Sequence, residues 1–144
     1  MEKFGNSIFI KRPIGEVFDF TNDPANDAKW QDDIVSAEAT SEGPRGVGST
    51  SREVRQFMGR EMDTTIEITG WDPPKQVNFK SVGGPIAFEF TSEYEEQDGG
   101  TLMTMKGQAE FGGFFKLASG MVVKQAEKSM GSDMANLKAL LEKS

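Results

Sequence analysis

The chain has 144 residues, 36% hydrophobic and 27% charged, with 16 basic against 23 acidic side chains and a formal charge of −7. It contains no cysteine and no histidine, which excludes disulfides, thiolate chemistry, histidine-based nucleophilic catalysis and the common zinc sites. The acidic balance argues against nucleic acid and anionic membrane surfaces as partners, since both are bound through lysine and arginine.

In chain order, "KFGNSIFIK" reads as a first strand centred on Ile8, Phe9 and Ile10. Pro13 suits the first turn of a helix, and Ile14, Val17, Phe18 and Thr21 follow at helical spacing. A second short helix starts with Asp23 as N-cap and Pro24 just inside, and ends near Trp30. From there to residue 111 the period is mostly two. "DIVSAEATS" is a strand closed by the loop "EGPRGVG", and "STSREVRQFM" and "EMDTTIEITGW" form a hairpin turning at Gly59–Arg60. The prolines Pro73 and Pro74 interrupt pairing, because proline has no N–H for a ladder. "QVNFKS", "IAFEFTSEYEE" and "TLMTMKGQAEF" follow, separated by turns at "VGGP" and "QDGG". These short connections favour antiparallel neighbours.

One face of this sheet is apolar. Phe88, Phe90 and Tyr94 alternate with polar residues, as do Met103, Met105, Ala109 and Phe111, Ile66 and Ile68, and Val77 and Phe79. The last stretch, residues 115–143, repeats apolar side chains in steps of three and four through Phe115, Ala118, Val122, Ala126, Met130, Met134, Leu137 and Leu141. As a helix it spans roughly 43 Å, enough to cross the whole sheet.

The segments "RPIGEVFDFTNDPANDAKW", "GVGSTSREVRQFMGREMDTTIEITGWDPPKQVNF" and "DGGTLMTM", followed by the long helix, resemble the START-like (SRPBCC) superfamily, in its polyketide cyclase/dehydrase branch. The resemblance covers nearly the full length and implies a single START-like domain over residues 1–144. Its fold is the α+β helix-grip fold: a seven-stranded curved antiparallel sheet wrapped around a long C-terminal helix, with two short helices after the first strand. The resemblance also implies an internal cavity for an apolar or amphipathic small molecule. "WDPPK" looks like the family's turn between two central strands.

Several residues are candidates for the cavity. If Gly59–Arg60 is the turn, Phe57 faces Met62, Arg55 faces Thr64 and Glu53 faces Ile66, so Glu53 and Arg55 point inward. A one-residue slip would instead bring Arg52 and Gln56 inside. An inward arginine needs a carboxylate, water or an anionic ligand. It could hold a ligand carboxylate or polarise a carbonyl, or form a self-sufficient pair with Glu53. Trp30 either lines the entrance or plugs the short helices onto the sheet. Met103, Met105, Met121, Met130 and Met134 offer a soft lining or plain core, and Gln125 is the candidate polar contact from the long helix. Phe57, Ile66, Ile68, Phe79, Phe88 and Phe90 complete the expected wall. Tyr94, near a strand end, is expected to be partly exposed.

Other features read as structural. Asp32–Asp33 and Glu95–Glu96 are solvated turn residues, and no metal site is expected. "GPRGVGST" lacks the spacing of a phosphate loop and leads into a strand. "FGGFFKLASGMVV", flanked by Lys116 and Lys124, is either a glycine-hinged gate or an anchor in which Phe114 and Phe115 hold the helix start.

The expected function is binding or transport of a hydrophobic or amphipathic small molecule such as a lipid, polyketide or aromatic metabolite. The alternatives are a polyketide cyclase or dehydrase using Arg55, Glu53 or Tyr94, and a protein-interaction module built on the edge near Phe114. Without histidine, the enzyme would depend on a carboxylate with a raised pKa or on a tyrosine. No cofactor is expected, no protein partner is specified, and neither nucleic acid nor stable membrane insertion is expected. No apolar run approaches ~18 residues and no secretion signal is evident, so a cytoplasmic location is expected.

Overall fold

The computed structural model describes residues 2–110 and 119–143. The first strand, β1 (Glu2–Ile10), leads into α1 (Ile14–Thr21), a 3-10 turn (Pro24–Asn26) and α2 (Asp27–Trp30). Pro13 precedes α1 directly, and the Asp23 carboxylate accepts the Ala25 N–H at 3.0 Å, capping the turn as its sequence suggests. Six strands follow: β2 (Ile34–Ala39), β3 (Thr50–Phe57), β4 (Arg60–Asp72), β5 (Gln76–Gly83), β6 (Ala87–Gln97) and β7 (Gly100–Glu110). The last helix, α3, runs over Ser119–Glu142.

All seven strands form one antiparallel sheet in the order β1-β7-β6-β5-β4-β3-β2. Register shifts between Ile34 and Ser36, between Thr65 and Ile66, and between Ile68 and Gly70 mark where the ladder is irregular. Such bulges bend a strand and increase its twist. Prolines 73 and 74 lie beyond the last β4–β5 pair, Asp72↔Gln76, joined by a cis peptide bond. The turn is closed by Lys75 N–H donating to the Asp72 carbonyl, and Tyr94 N–H reaches the Lys75 carbonyl, both at 2.8 Å.

The β3–β4 hairpin turns one residue earlier than expected, at Met58–Gly59, where both φ angles are positive (52° and 77°). A tight hairpin that follows the natural strand twist needs positive φ at both central residues. Arg55 therefore faces Met62 and Glu53 faces Thr64, two residues from the expected partners. Side chains alternate with period two, so this shift leaves Glu53, Arg55 and Phe57 on the same face.

Hydrogen bonds tie α3 to both ends of the curled sheet. Along edge strand β1, Gly5 and Lys11 N–H groups donate to the Glu127 and Glu142 carboxylates at 3.2 and 2.8 Å, and Lys138 Nζ donates to the Phe9 carbonyl at 2.8 Å. These contacts satisfy edge groups that would otherwise stay open to pairing. On the other flank, Asn136 Nδ2 donates to the Trp30 carbonyl at 3.2 Å and to the Asp32 carboxylate at 2.9 Å, and Ser132 Oγ donates to Asp32 at 3.1 Å. Asp32 is thus a fastening of the helix and not only a solvated turn residue. Glu95 and Glu96 are exposed, but in β6 and not in a turn.

Among the described residues the core forms two clusters. One joins Ile10, Val17, Phe18, Trp30, Val77 and Tyr94 to Leu137 and Leu141 near the C-terminal end of α3; the other joins Ile86 and Ala109 to Val122 near its start. Tyr94 is buried, correcting the expectation of partial exposure. Its hydroxyl shares a 2.7 Å hydrogen bond with Thr21 Oγ1 and accepts from Asn22 Nδ2 at 3.2 Å, which docks α1 on the sheet.

The start of β7 is packed backbone to backbone. A Cβ on Gly100 would lie 2.6 Å from the Ile10 carbonyl oxygen and 3.0 Å from the Lys11 Cα. Main chain cannot step aside as a flexible side chain can. Gly100→Ala is therefore expected to destabilise the fold by about 2 kcal/mol, as overpacking does, read as a lower urea midpoint at unchanged slope.

Candidate functional site

Between the two core clusters lies a cavity of about 230 Å³. The helix explains why it stays open. Large side chains fill the ends of the buried stripe, at Val122 and at Leu137, whereas the middle presents Ala126, Ser129, Met130 and Asp133. Two of these are too small to reach the sheet. Facing them, Phe57 of β3, Ile66 and Ile68 of β4, and Phe79 of β5 form part of the wall. Phe88 and Phe90 of β6 and Met103 and Met105 of β7 continue it. The aromatic side is rigid: Phe79 and Phe90 stack at 5.6 Å, and Phe4 and Phe88 meet Phe90 edge-on at 5.4 and 5.5 Å.

Trp30 also borders the cavity and is 4% exposed, part of the wall and of the core at once. Its Nε1–H has no acceptor among the described residues and is closed off from solvent. Met103 is fully buried in the core as well as on the wall, and Met134 is core. Met121 and Gln125 are corrections. Met121 is 67% exposed, and Gln125 is exposed, donating only to Ser129 Oγ at 3.4 Å. Each precedes a wall residue, Val122 or Ala126, and a helix turns by about 100° per residue, which rotates both away. The gate or anchor expected at "FGGFFKLASGMVV", with Phe114, Phe115 and Lys116, falls mostly outside the described residues.

One end of the cavity is polar. Arg55 Nε and Nη2 donate to the two carboxylate oxygens of Glu53 at 3.1 and 3.2 Å, and Nη2 also donates to Gln31 Oε1 at 2.8 Å. The Arg55 and Glu53 side chains are 22% and 13% exposed. Burial by itself would lower the Arg55 pKa. The charge and hydrogen bonds of Glu53, with Asp133 and Asp33 behind, outweigh it and hold the guanidinium firmly charged. Arg52, by contrast, sits on the outer face, paired with Asp63 at 2.6 Å. The ambiguity of register is resolved in favour of the Glu53–Arg55 face.

Three further groups complete this end. Asp27, in the first turn of α2, is pushed up to about 7 by burial first and then by the charge of Glu53, against the opposing pull of Arg55 and Arg45. Asp133, reaching in from α3, is pushed up to about 6, chiefly by burial, although it accepts the Asp32 N–H at 3.1 Å. Burial lowers the Arg45 guanidinium, partly countered by Asp27 and Asp23, and its Nη1 donates to the Thr50 carbonyl at 3.0 Å. Among the described residues neither Asp27 nor Asp133 has an ion-pair partner, and no group of three or more acidic residues is placed to hold a metal ion.

The sequence matches the family described as "Polyketide cyclase / dehydrase and lipid transport" over residues 1–142. The chain belongs to that family. Solved structures agree on the fold. A protein from Thermus thermophilus superposes with a TM-score of 0.86 at 21% identity, covering 99% of this chain and 100% of the other. A START superfamily protein from Mycobacterium smegmatis gives 0.81 at 14% identity, covering 98% and 97%. The ginseng (Panax ginseng) major latex-like protein 151 gives 0.76 at 17% identity, covering 96% and 95%. At such identities the likeness establishes the START-like helix-grip architecture alone. Among curated proteins, none matches this sequence.

Within this polyketide cyclase/dehydrase-family domain, the residues that sequence reasoning missed are Asp27, Gln31, Arg45 and Asp133. Asp133 had a signal: it falls seven residues after Ala126, on the apolar stripe, where a carboxylate is out of place. Asp27 and Gln31 flank a helix of a single turn, too short for periodicity to assign a face. Arg45 lies in the β2–β3 loop, whose course is set by long-range packing and not by local pattern.

Proposed function

We propose that this protein binds a compact hydrophobic or amphipathic small molecule in the cavity between sheet and helix. The observation that carries the reading is the break in core packing at Ala126 and Ser129, opposite the aromatic wall. Interiors are normally filled to crystal density. A void of about 230 Å³ exceeds the ~150 Å³ that accommodates benzene in an engineered core, which suits a fused ring system or a short chain. Family membership supports the same reading. Among the described residues no helix is long and apolar enough to cross a membrane.

The test is solvent extraction of natively purified protein and mass spectrometry against a matched blank, run in parallel on Ala126→Trp. An indole at position 126 would occupy the space between helix and sheet. The expected result is a protein-specific compound in the wild type that falls at least about tenfold in the variant, a loss of ~1.4 kcal/mol or more. Retention of the compound by a folded Ala126→Trp variant would place the ligand elsewhere.

A second reading, a cyclase- or dehydrase-type enzyme, is supported by Asp27. A carboxylate that titrates at about 7 is matched to proton transfer near neutral pH, the requirement that a histidine-free enzyme must meet. Tyr94 does not fit that role, because burial raises its pKa and its hydroxyl is engaged by α1. The two readings separate in Asp27→Asn: an enzyme loses turnover while keeping ligand affinity, and a carrier has no turnover to lose.

A further inference from the structure

We propose that the polar end of the cavity recognises a cationic amine carried on a compact ring system, and discriminates against carboxylates. The inference rests on the cavity being a small-molecule site and specifies the head group it takes. The sequence alone leaves an inward arginine as a carboxylate anchor, a carbonyl polariser or a self-sufficient pair with Glu53, and in the structure that arginine is already occupied. Both Glu53 oxygens and Gln31 satisfy Arg55, so an incoming carboxylate would have to displace Glu53 and leave it unpaired. Arg45 is turned towards the Thr50 carbonyl, and its Nε is closed off from solvent.

Beside these two guanidinium groups, this end of the cavity is acidic and aromatic. Asp27 and Trp30 are three residues apart on α2 and so share a side of that turn, and both border the cavity. Asp133 enters from α3, with Asp32 and Asp33 beside it, and Glu53 stands on β3. The charged groups acting on Asp27 are Glu53 and Arg55 of β3, Asp23 ahead of the 3-10 turn and Arg45 of the β2–β3 loop. Carboxylates outnumber guanidinium groups here, and a tryptophan ring with flanking carboxylates is a favourable seat for an ammonium ion. An amine would also offer donors to Asp27 or to Asp133, neither of which has an ion-pair partner among the described residues.

The arrangement couples binding to protons. An ammonium ion beside Asp27 favours the ionised carboxylate, so its arrival expels the proton that Asp27 holds below about pH 7. By reciprocity, affinity for the amine rises as the pH is raised, while affinity for an anion falls.

The experiment is calorimetric titration of the full chain with naphthylmethylamine, naphthylmethanol, naphthoate and naphthalene itself. The amine is expected to bind tightest and naphthoate weakest. An opposite charge at 4–6 Å moves a carboxyl by about one unit or more, so amine affinity should rise about tenfold between roughly pH 6 and pH 8. In Asp27→Asn this rise should shrink to the smaller contribution of Asp133, and Trp30→Leu should weaken the amine more than the alcohol. Naphthoate binding as tightly as the amine, or an amine affinity independent of both pH and Asp27, would overturn the proposal while leaving the cavity reading intact. If none of the four compounds binds, the cavity reading falls and the proposal with it.

Discussion

Glu53→Ala is expected to destabilise the protein by about 2–3 kcal/mol, at or just below the ~3–5 kcal/mol that truncating one partner of a fully buried ion pair costs. The side chains are not wholly removed from water, with exposures of 13% for Glu53 and 22% for Arg55, which argues for the lower values. What the mutation removes is not the attraction alone. It leaves Arg55 in a desolvated setting with Gln31 as its one remaining hydrogen-bond partner among the described residues, and an uncompensated buried charge is costlier than the pair was favourable. The double replacement Glu53→Ala with Arg55→Ala should therefore be milder than the sum of the single ones. A double-mutant cycle from urea unfolding is expected to give a coupling above ~1 kcal/mol. A coupling near zero would mean that the pair is solvated and that its charge does not shape the cavity. Because the charge of Glu53 helps to raise Asp27, its removal should also lower the pH at which Asp27 titrates.

Asp27→Asn should act in the opposite direction and stabilise the fold above neutral pH. Asp27 titrates at about 7 in the folded protein against an ordinary value of 3.8. Below about pH 4 the carboxyl is protonated in both states and contributes no difference. Between about pH 4 and pH 7 the unfolded chain releases this proton while the folded chain retains it, so wild-type stability falls as the pH rises. Above about pH 7 the penalty is complete. At ~1.4 kcal/mol per pH unit of separation the upper bound is near 4 kcal/mol. Asp27 keeps part of its surface in water, so about 2 kcal/mol is expected. Asparagine removes the charge with little change of shape. Denaturant midpoints measured at about pH 3 and about pH 8 should coincide with wild type at the first and exceed it at the second. A variant no more stable than wild type at the higher pH would show that Asp27 ionises without strain.

The two predictions converge on one region, the junction of α2, β3 and α3. On the proposed reading, selectivity there would depend on how two carboxylates and a tryptophan are placed around an ion pair that is internally complete. The apolar remainder of the cavity would set ligand size and shape.

Much of the architecture was legible because it follows from local rules. Period-two alternation marked the apolar face in β4 to β7 but left β3 open between two registers, and a two-residue error in the β3–β4 partners keeps Glu53, Arg55 and Phe57 on one face. Steps of three and four marked the long helix. Its edges were less legible: Met121 and Gln125 sit one position from the buried stripe, and a stripe read from sequence does not resolve 100° of rotation without a partner surface. Tyr94 was misplaced for a similar reason. Its strand-end position suggested solvent, but α1 folds over it and supplies Thr21 and Asn22.

The amino acids alone carried the order of elements, the apolar face of much of the sheet, and the exclusion of histidine and cysteine chemistry, but left the inward face of the third strand open. Two matters were decided only on folding. Arg55 is satisfied by Glu53 and Gln31, and Asp27 and Asp133 come to the same cavity from helices that are distant in the chain. Periodicity reports the environment of a residue relative to its own element. The charge and solvation of a site depend on groups brought together across elements, and those distances exist only once the sheet has closed around the helix.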